Sequence, residues 1–495
     1  MSVGDATVKA LSDLRVLVLN PPFLPRFSRA QRSPAVTKSG TLYYPLWLAG
    51  ATGVLEDAGC QVRLMDAPAS GQSTDDVKAI VLAWRPHLLV MDTSTPSFAN
   101  DIGVLDALKR AHPAMMSVAV GTHVSALPDE AMAASPSLDA VARREYEYTL
   151  RDLAGALVDC RPLSGIVGLT YREGERVVHN ADRALIQDLD QLPFVARVYK
   201  KHLHPADYFY AITPHPVVTI MTGRGCPHRC TYCVFPQTLM GRRYRYRTPE
   251  NVVAEFQYIV REMPEIGHVF VEDDTLTVDR RRCQELSRLL IDAHTGLTFT
   301  ANSRADVDYE TLAALKAAGC RMLCVGFESG DEQVLKNMHK GVTVAQMRQF
   351  MRDARRAGIL VHGCFMVGNP GETRETMART LQLAKELNPD TAQFFPLMVY
   401  PGTEAYAWAD GHGYLTTHHF SQWLTPEGLH ECVLSLPDLS SQELVAWCDD
   451  ARRSFYLRPR YMAAKLKQVI ARPAELKRVV KAARTFFPFL FRGTK

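Results

Sequence analysis

The chain has 495 residues, of which 47% are hydrophobic and 22% charged, and its net charge is +4 at neutral pH. That length provides for two or three domains with cores of their own, and the composition excludes a disordered chain, a collagen-like repeat and a disulfide scaffold. The charge is uneven: Arg452 to Lys495 holds thirteen Lys or Arg against one acid, Glu475, a net +12 that leaves −8 on the rest of the chain.

Residues Met1 to Arg15 lack the apolar core of a secretion signal, and no apolar run reaches the roughly 20 residues that span a bilayer. A cytoplasmic location is therefore expected, with the eleven cysteines as thiols or metal ligands rather than disulfides. Arg15–Leu19, stopped by Asn20–Pro21–Pro22, reads as a buried strand. Further strands are predicted at Val62–Asp66, Leu88–Asp92 and Val118–Val120, with helices at Leu46–Ala58, Thr74–Ala83 and Asp101–Arg110 between them. This alternation predicts a doubly wound, Rossmann-like parallel sheet over residues 1–160. A connector over 161–209 contains a hairpin at Gly165–Asn180 turning at Glu173–Gly174. From 210 to 430 six strand candidates follow: Val217–Met221, His268–Val271, Thr298–Ala301, Met322–Gly326, Val361–Val367 and Thr391–Pro396. With helices such as Pro249–Met263 and Tyr309–Ala318 between them, they predict a partial (β/α)6 barrel whose chemistry sits at the carboxyl ends of the strands. Residues 431–495 read as a helical, basic C-terminal region.

Directly after the first barrel strand comes Cys226–Pro–His–Arg–Cys230–Thr–Tyr–Cys233, a C-x3-C-x2-C spacing. Three thiolates within eight residues can hold three corners of a [4Fe–4S] cube and leave the fourth iron open to a ligand. The alternatives are a zinc site, with His228 as a fourth ligand, or three buried cysteines; the surrounding Arg224, His228 and Arg229 disfavour the latter.

The triplet, with an aromatic residue before its last cysteine, resembles the motif of the radical S-adenosylmethionine (SAM) superfamily. The resemblance extends to the strand ends Glu272–Asp273–Asp274, Asn302–Ser–Arg304, Gly326–Phe–Glu328–Ser–Gly330, Gly368–Asn–Pro–Gly–Glu372 and Tyr400–Pro–Gly–Thr403. It implies that Cys226, Cys230 and Cys233 hold the cluster and that Tyr232, Asp273, Asp274, Asn302, Arg304 and Glu328 contact SAM. Independently of the family, an ammonium needs carboxylates, and Asp273 and Asp274 supply them at a strand end; Asp274 can equally cap the following helix. In the N-terminal domain, Asn20–Pro21–Pro22, Thr93–Ser94, Gly121–Thr–His123 and Arg144–Glu145 end strands, where a doubly wound sheet forms its ligand crevice. The arrangement resembles the cobalamin-binding domain that precedes the barrel in one branch of the superfamily. It implies cobalamin contacts from Asn20, Pro21, Ser94, Gly121, His123 and Glu145. No Asp-x-His-x-x-Gly loop is present, so no histidine ligand to cobalt is expected.

Tyr44–Pro–Leu–Trp–Leu48, Thr93–Phe98, Thr222–Cys226, Pro236–Gln–Thr238 and Phe455–Tyr–Leu–Arg–Pro459 resemble the radical enzymes of hopanoid biosynthesis, whereas Phe27 to Leu42 departs from them. The implied activity is reductive cleavage of SAM to a 5′-deoxyadenosyl radical that takes hydrogen from a substrate C–H. A membrane-lipid head group is the expected substrate, and rearrangement or ring formation the expected outcome. Carbon methylation from methylcobalamin and a non-catalytic cobalamin or redox sensor stand as alternatives. An external flavodoxin- or ferredoxin-like electron donor is expected as a partner, and nucleic acid is not. The segments Tyr461–Ile470 and Ala474–Arg484 combine apolar and basic faces ahead of Phe486–Phe491, a pattern suited to peripheral contact with the inner face of a membrane or to packing back on the barrel.

Overall fold

The computed structural model describes residues 8–471. The N-terminal sheet is built from β1 (Arg15–Asn20), β2 (Gln61–Asp66), β3 (Leu88–Asp92), β4 (Met116–Val120) and β5 (Ala140–Ala142), parallel in the order β2-β1-β3-β4-β5. Helices cover both faces, so β3 is buried at every residue and β1 at all but its first. The strand order reverses between β1 and β3, which opens a crevice beyond Asn20 and Asp92. Helix Leu46–Asp57 is buried from Leu46 to Leu55 because it lies between this sheet and the helices Glu147–Val158 and Val195–His202.

The predicted hairpin forms as β6 (Leu169–Glu173) and β7 (Arg176–His179), but it belongs to the N-terminal sheet, where β6 pairs antiparallel with β5. The division predicted at residue 160 therefore moves past His179. The physical reason is that β5 would otherwise leave an unpaired edge.

The second sheet contains β8 (Val217–Ile220). Two short strands, β9 (Gly223–Arg224) and β10 (Arg245–Tyr246), then pair antiparallel with each other and bracket the cysteine loop. The sheet continues with β11 (His268–Val271), β12 (Thr298–Ser303), β13 (Cys320–Glu328), β14 (Leu360–Val367) and β15 (Thr391–Pro396). The six barrel strands are all parallel and lie in sequence order, which is the predicted partial barrel. Helix Ser441–Tyr456 packs on β15 and is followed by helix Pro459–Ala471. The predicted segments Ala474–Arg484 and Phe486–Phe491 lie outside the described residues. Among the described residues no helix is long and apolar enough to cross a membrane.

A buried ion group joins the two sheets. Glu145, just past β5, takes both its oxygens to Arg245 of β10 at 2.8 Å and accepts the Ile186 N–H at 2.8 Å. Glu147 accepts from Arg224 of β9 at 2.6 Å, and Arg224 lies 3.6 Å from Glu145 with its guanidinium over the Trp47 ring. All four side chains are at most 7% exposed. Removing one member strands a buried opposite charge, which costs about 3–5 kcal/mol. Glu145→Ala should therefore lower the unfolding midpoint sharply in denaturant titrations followed by circular dichroism, and Glu145→Gln, which keeps a hydrogen-bonding group, should lower it less.

Candidate active site

The loop carrying the three cysteines is clamped by the strand pair that brackets it. Gly225 has φ +83°, and a Cβ there would lie 2.3 Å from the Arg243 carbonyl, so the close approach of the two chain segments requires glycine. The Cys226 N–H donates to Gly241 O at 3.3 Å, Arg242 donates to His228 O at 2.9 Å, and Gln237 donates to the carbonyls of Thr231 and Cys233. Cys230 is buried and Cys226 and Cys233 partly so, and all three are free thiols. Burial pushes Cys226 up to about 11, and burial with Asp274 nearby pushes Cys233 well above the usual thiol range. Such thiols lose their protons to a bound cation.

Opposite the loop, the acidic triplet divides into different roles. Asp273 is fully buried, and its oxygens accept from Thr222 N–H at 2.6 Å, Thr222 Oγ1 at 2.7 Å and Tyr244 Oη at 3.3 Å. These bonds hold the end of β11 to the start of the cysteine loop, so both oxygens of Asp273, expected to face SAM, have partners within the protein. Glu272 and Asp274 are 7% and 2% exposed at their side chains, and each has one buried oxygen, Oε2 and Oδ2, with no partner. Unpartnered buried acceptors are costly unless a ligand supplies a donor, so this pair fits an ammonium group. The sequence reading quoted Glu272 in the motif without assigning it a role. Asn302 donates to Asp273 O at 3.0 Å and lies 3.5 Å from Glu272 Oε1, beside the acid pair. Arg304 is instead consumed by carbonyls: Lys340 O at 2.7 Å and Gly341 O at 3.3 Å. Arg304, expected to contact SAM, thus braces the loop after β13, and its Nε lies 3.3 Å from Asp306.

Glu328 stands at the end of β13 with φ +65°, beyond a break in register with β14, a strained backbone of the kind concentrated at functional sites. Its Oε1 accepts from Tyr232 Oη at 3.0 Å and from Lys340 at 2.9 Å. Tyr232 is thereby tied to the barrel rather than left free to meet a ligand through its hydroxyl. A Cβ on Gly326 would sit 2.1 Å from that same Glu328 oxygen, which explains glycine there. Lys340 and Arg32 were absent from the sequence reading. A lone basic residue in a loop carries no periodic signal, and only the departure of Phe27–Leu42 marked Arg32's segment.

At the carboxyl ends of the N-terminal sheet, Asn20 bridges Asp66 and Arg29 at 2.8 Å each, and the Pro21 carbonyl accepts from Arg29. Ser94 is fully buried against Ser97. Gly121 has φ +117°, and its missing Cβ makes room for Thr93 O, 2.4 Å away. These residues shape the crevice through internal bonds. Glu145, expected to contact cobalamin, takes both its oxygens to Arg245. His123 is 1% exposed, packed between Phe98 and Phe420, with Nδ1 3.3 Å from Thr95 Oγ1; burial drives its imidazole down to about 3. His123 Nε2 and Tyr146 Oη are buried without partners, so the crevice retains unsatisfied polar groups that a polar ligand can meet.

Comparison with known proteins agrees with this geometry. The B12 binding domain matches residues 32–154 and the Radical SAM superfamily matches 220–384. The uncharacterized methyltransferase PH0819 of Pyrococcus horikoshii is 30% identical over 424 residues, covering 86% of this chain and 90% of that protein. The chain belongs to the B12-binding radical SAM family. The anaerobic magnesium-protoporphyrin IX monomethyl ester cyclase of Rubrivivax gelatinosus is 26% identical, over 73% of this chain and 65% of its own. The hopanoid C-3 methylase of Methylococcus capsulatus is 25% identical, over 80% and 74%. The methyltransferase TsrM of Kitasatospora setae has the same fold, with a TM-score of 0.68 at 18% identity over 88% of each chain. As a radical SAM enzyme with a B12-binding domain, the protein uses a [4Fe–4S] cluster, SAM and cobalamin.

Anaerobic reconstitution should load about four irons and four sulfides per chain. Changing Cys226, Cys230 or Cys233 to Ala should abolish the broad visible absorption of the cluster, and stoichiometric zinc in place of iron would contradict the assignment. Paramagnetic resonance of the Co(II) form should show no axial nitrogen splitting; a splitting that disappears in His123→Ala would contradict the packing of that ring.

Proposed function

We propose that this enzyme methylates a carbon of its substrate. When bound, the cluster supplies the electron that cleaves SAM to a 5′-deoxyadenosyl radical, and cobalamin supplies the methyl group. The observation that carries the reading is near full-length similarity to the uncharacterized methyltransferase PH0819, and the junction of Glu145 and Glu147 with Arg245 and Arg224 supports a two-cofactor site by holding the cysteine loop against the strand ends of the N-terminal sheet. The chain's own residues then have distinct tasks. Cys226, Cys230 and Cys233 hold the cluster, Glu272 and Asp274 receive the ammonium of SAM, and Asn302 orients Glu272. Glu328, Lys340 and Tyr232 stiffen the far wall.

Between them, positions of β13 and β14 remain partly exposed. Cys324 and Gly326 alternate along β13, Cys364 of β14 is paired with Gly326, and all three are partly exposed while Leu323, Val325, Phe327 and Phe365 are buried. That space suits the substrate. Near full-length similarity to PH0819 supports methyl transfer over rearrangement or ring formation, which the sequence alone placed first; similarity to the cyclase supports ring formation as a second reading. Anaerobic turnover with a strong reductant, followed by mass spectrometry, separates them. Methylation predicts S-adenosylhomocysteine alongside 5′-deoxyadenosine and a substrate 14 mass units heavier, about one CH2. A product without that gain opposes it.

A lipid substrate is supported by similarity to the hopanoid methylase and by helix Pro459–Ala471, where Met462, Leu466 and Ile470 form a stripe 58%, 63% and 70% exposed. Part of the basic segment serves the fold instead: Arg452 is buried against Phe394 O and Asp449, Arg458 donates to Lys385 O, and Phe455, Tyr456 and Tyr461 pack internally. A chain ending at Tyr461 therefore keeps these contacts. The full chain should bind anionic liposomes in a salt-sensitive manner, each engaged basic residue contributing about 1 kcal/mol. The shortened chain should not bind, while retaining SAM binding.

A further inference from the structure

We infer that Arg32, a residue of the N-terminal domain, completes the SAM site of the barrel by binding the carboxylate of the cofactor's methionine end. The inference rests on the assignment of Glu272 and Asp274 to the SAM ammonium. Arg32 reaches across the domain junction. Its Nη1 donates to Glu272 Oε1 at 2.5 Å, and its Nη2 donates to Asp273 O at 3.1 Å and to Asp274 Oδ1 at 3.2 Å. Its guanidinium also lies over the Phe235 ring, 5.3 Å from the centroid, in the helix that follows Cys233. The cation is thus held from two sides, by the acid pair and by the cluster loop.

The acid pair is not satisfied without a ligand. Asp273 is held by Thr222 and Tyr244. Arg32 leaves one oxygen each of Glu272 and Asp274 buried and unpartnered. An ammonium can therefore enter on Glu272 Oε2 and Asp274 Oδ2 without displacing the guanidinium. The Arg32 side chain is 31% exposed, against 7% and 2% for its two acids, so its open part is the portion that a ligand can reach. A guanidinium beside an ammonium site is the complement of an α-amino acid zwitterion, because it takes the carboxylate through charge-assisted hydrogen bonds. A plain plug for the acid pair would instead be expected to use all of its oxygens.

The test is anaerobic equilibrium binding of SAM and of decarboxylated SAM to the cluster-loaded full chain and to Arg32→Ala and Arg32→Lys. Iron content and visible absorption confirm that each variant holds its cluster. Arg32→Ala should bind SAM about tenfold or more weakly, the loss of one charge-assisted contact. Its affinity for decarboxylated SAM should match that of the unaltered protein, which also controls for folding, and Arg32→Lys should fall between. An Arg32→Ala variant that binds SAM as tightly as the unaltered protein, or more tightly, would overturn the inference, the second result marking Arg32 as a competitor for the ammonium site. An equal loss for both ligands would assign Arg32 to holding the acids in place and would also overturn it. If the unaltered, cluster-loaded protein bound no SAM, the radical SAM reading itself would fail, an outcome separate from all of these.

Discussion

The structure depends on burying four charges at one junction. Glu145 and Glu147 leave the last parallel strand of the N-terminal sheet, and Arg224 and Arg245 lie in the two short strands that bracket the cysteine loop. In water these pairs would be worth little, and in the interior each partner is costly if unmatched. The junction therefore has one low-energy arrangement, with the cysteine loop against the crevice of the other sheet. A two-cofactor enzyme needs its cofactors at a fixed separation, and a buried, directional ion group enforces this better than apolar contact, which tolerates sliding.

A second tie runs through the loop after β1. Arg29 pairs with Asp101 at 2.5 Å inside the N-terminal domain, and three residues later Arg32 pairs with Glu272 at the same distance inside the barrel. Two arginines so close in sequence anchor one strap to both domains. The strap belongs to the segment that departs from the hopanoid enzymes. Change there alters what faces Glu272 and Asp274 without touching the cysteine motif.

The architecture was legible because βα alternation writes itself locally: buried strands appear as short apolar runs, and the glycines and prolines at their ends mark the turns. β11 and β15 fall where the pattern placed them, and the cysteine spacing is likewise local. The side-chain roles were less legible. Glu145 and a ligand-binding glutamate look alike at a strand end; what distinguishes them is Arg245, one hundred residues away. Asp273 and Asp274 are neighbours with the same chemistry, yet the backbone turns one toward Thr222 and the other toward the open site. Arg304 donates to two carbonyls of a loop that no motif marks. The hairpin was recognised but assigned to a connector, because its partner β5 has only three residues and no pattern of its own. Long-range pairing decided each of these cases.

The central claim is that the three-cysteine loop holds a cluster with one iron open to SAM. The most direct measurement is low-temperature paramagnetic resonance of the reduced cluster in the full chain, with and without SAM. Binding at the open iron changes its ligand field, so the account predicts that the g-values shift when SAM is added. A spectrum that stays the same at SAM concentrations shown independently to saturate the protein would place SAM away from the cluster and contradict the account.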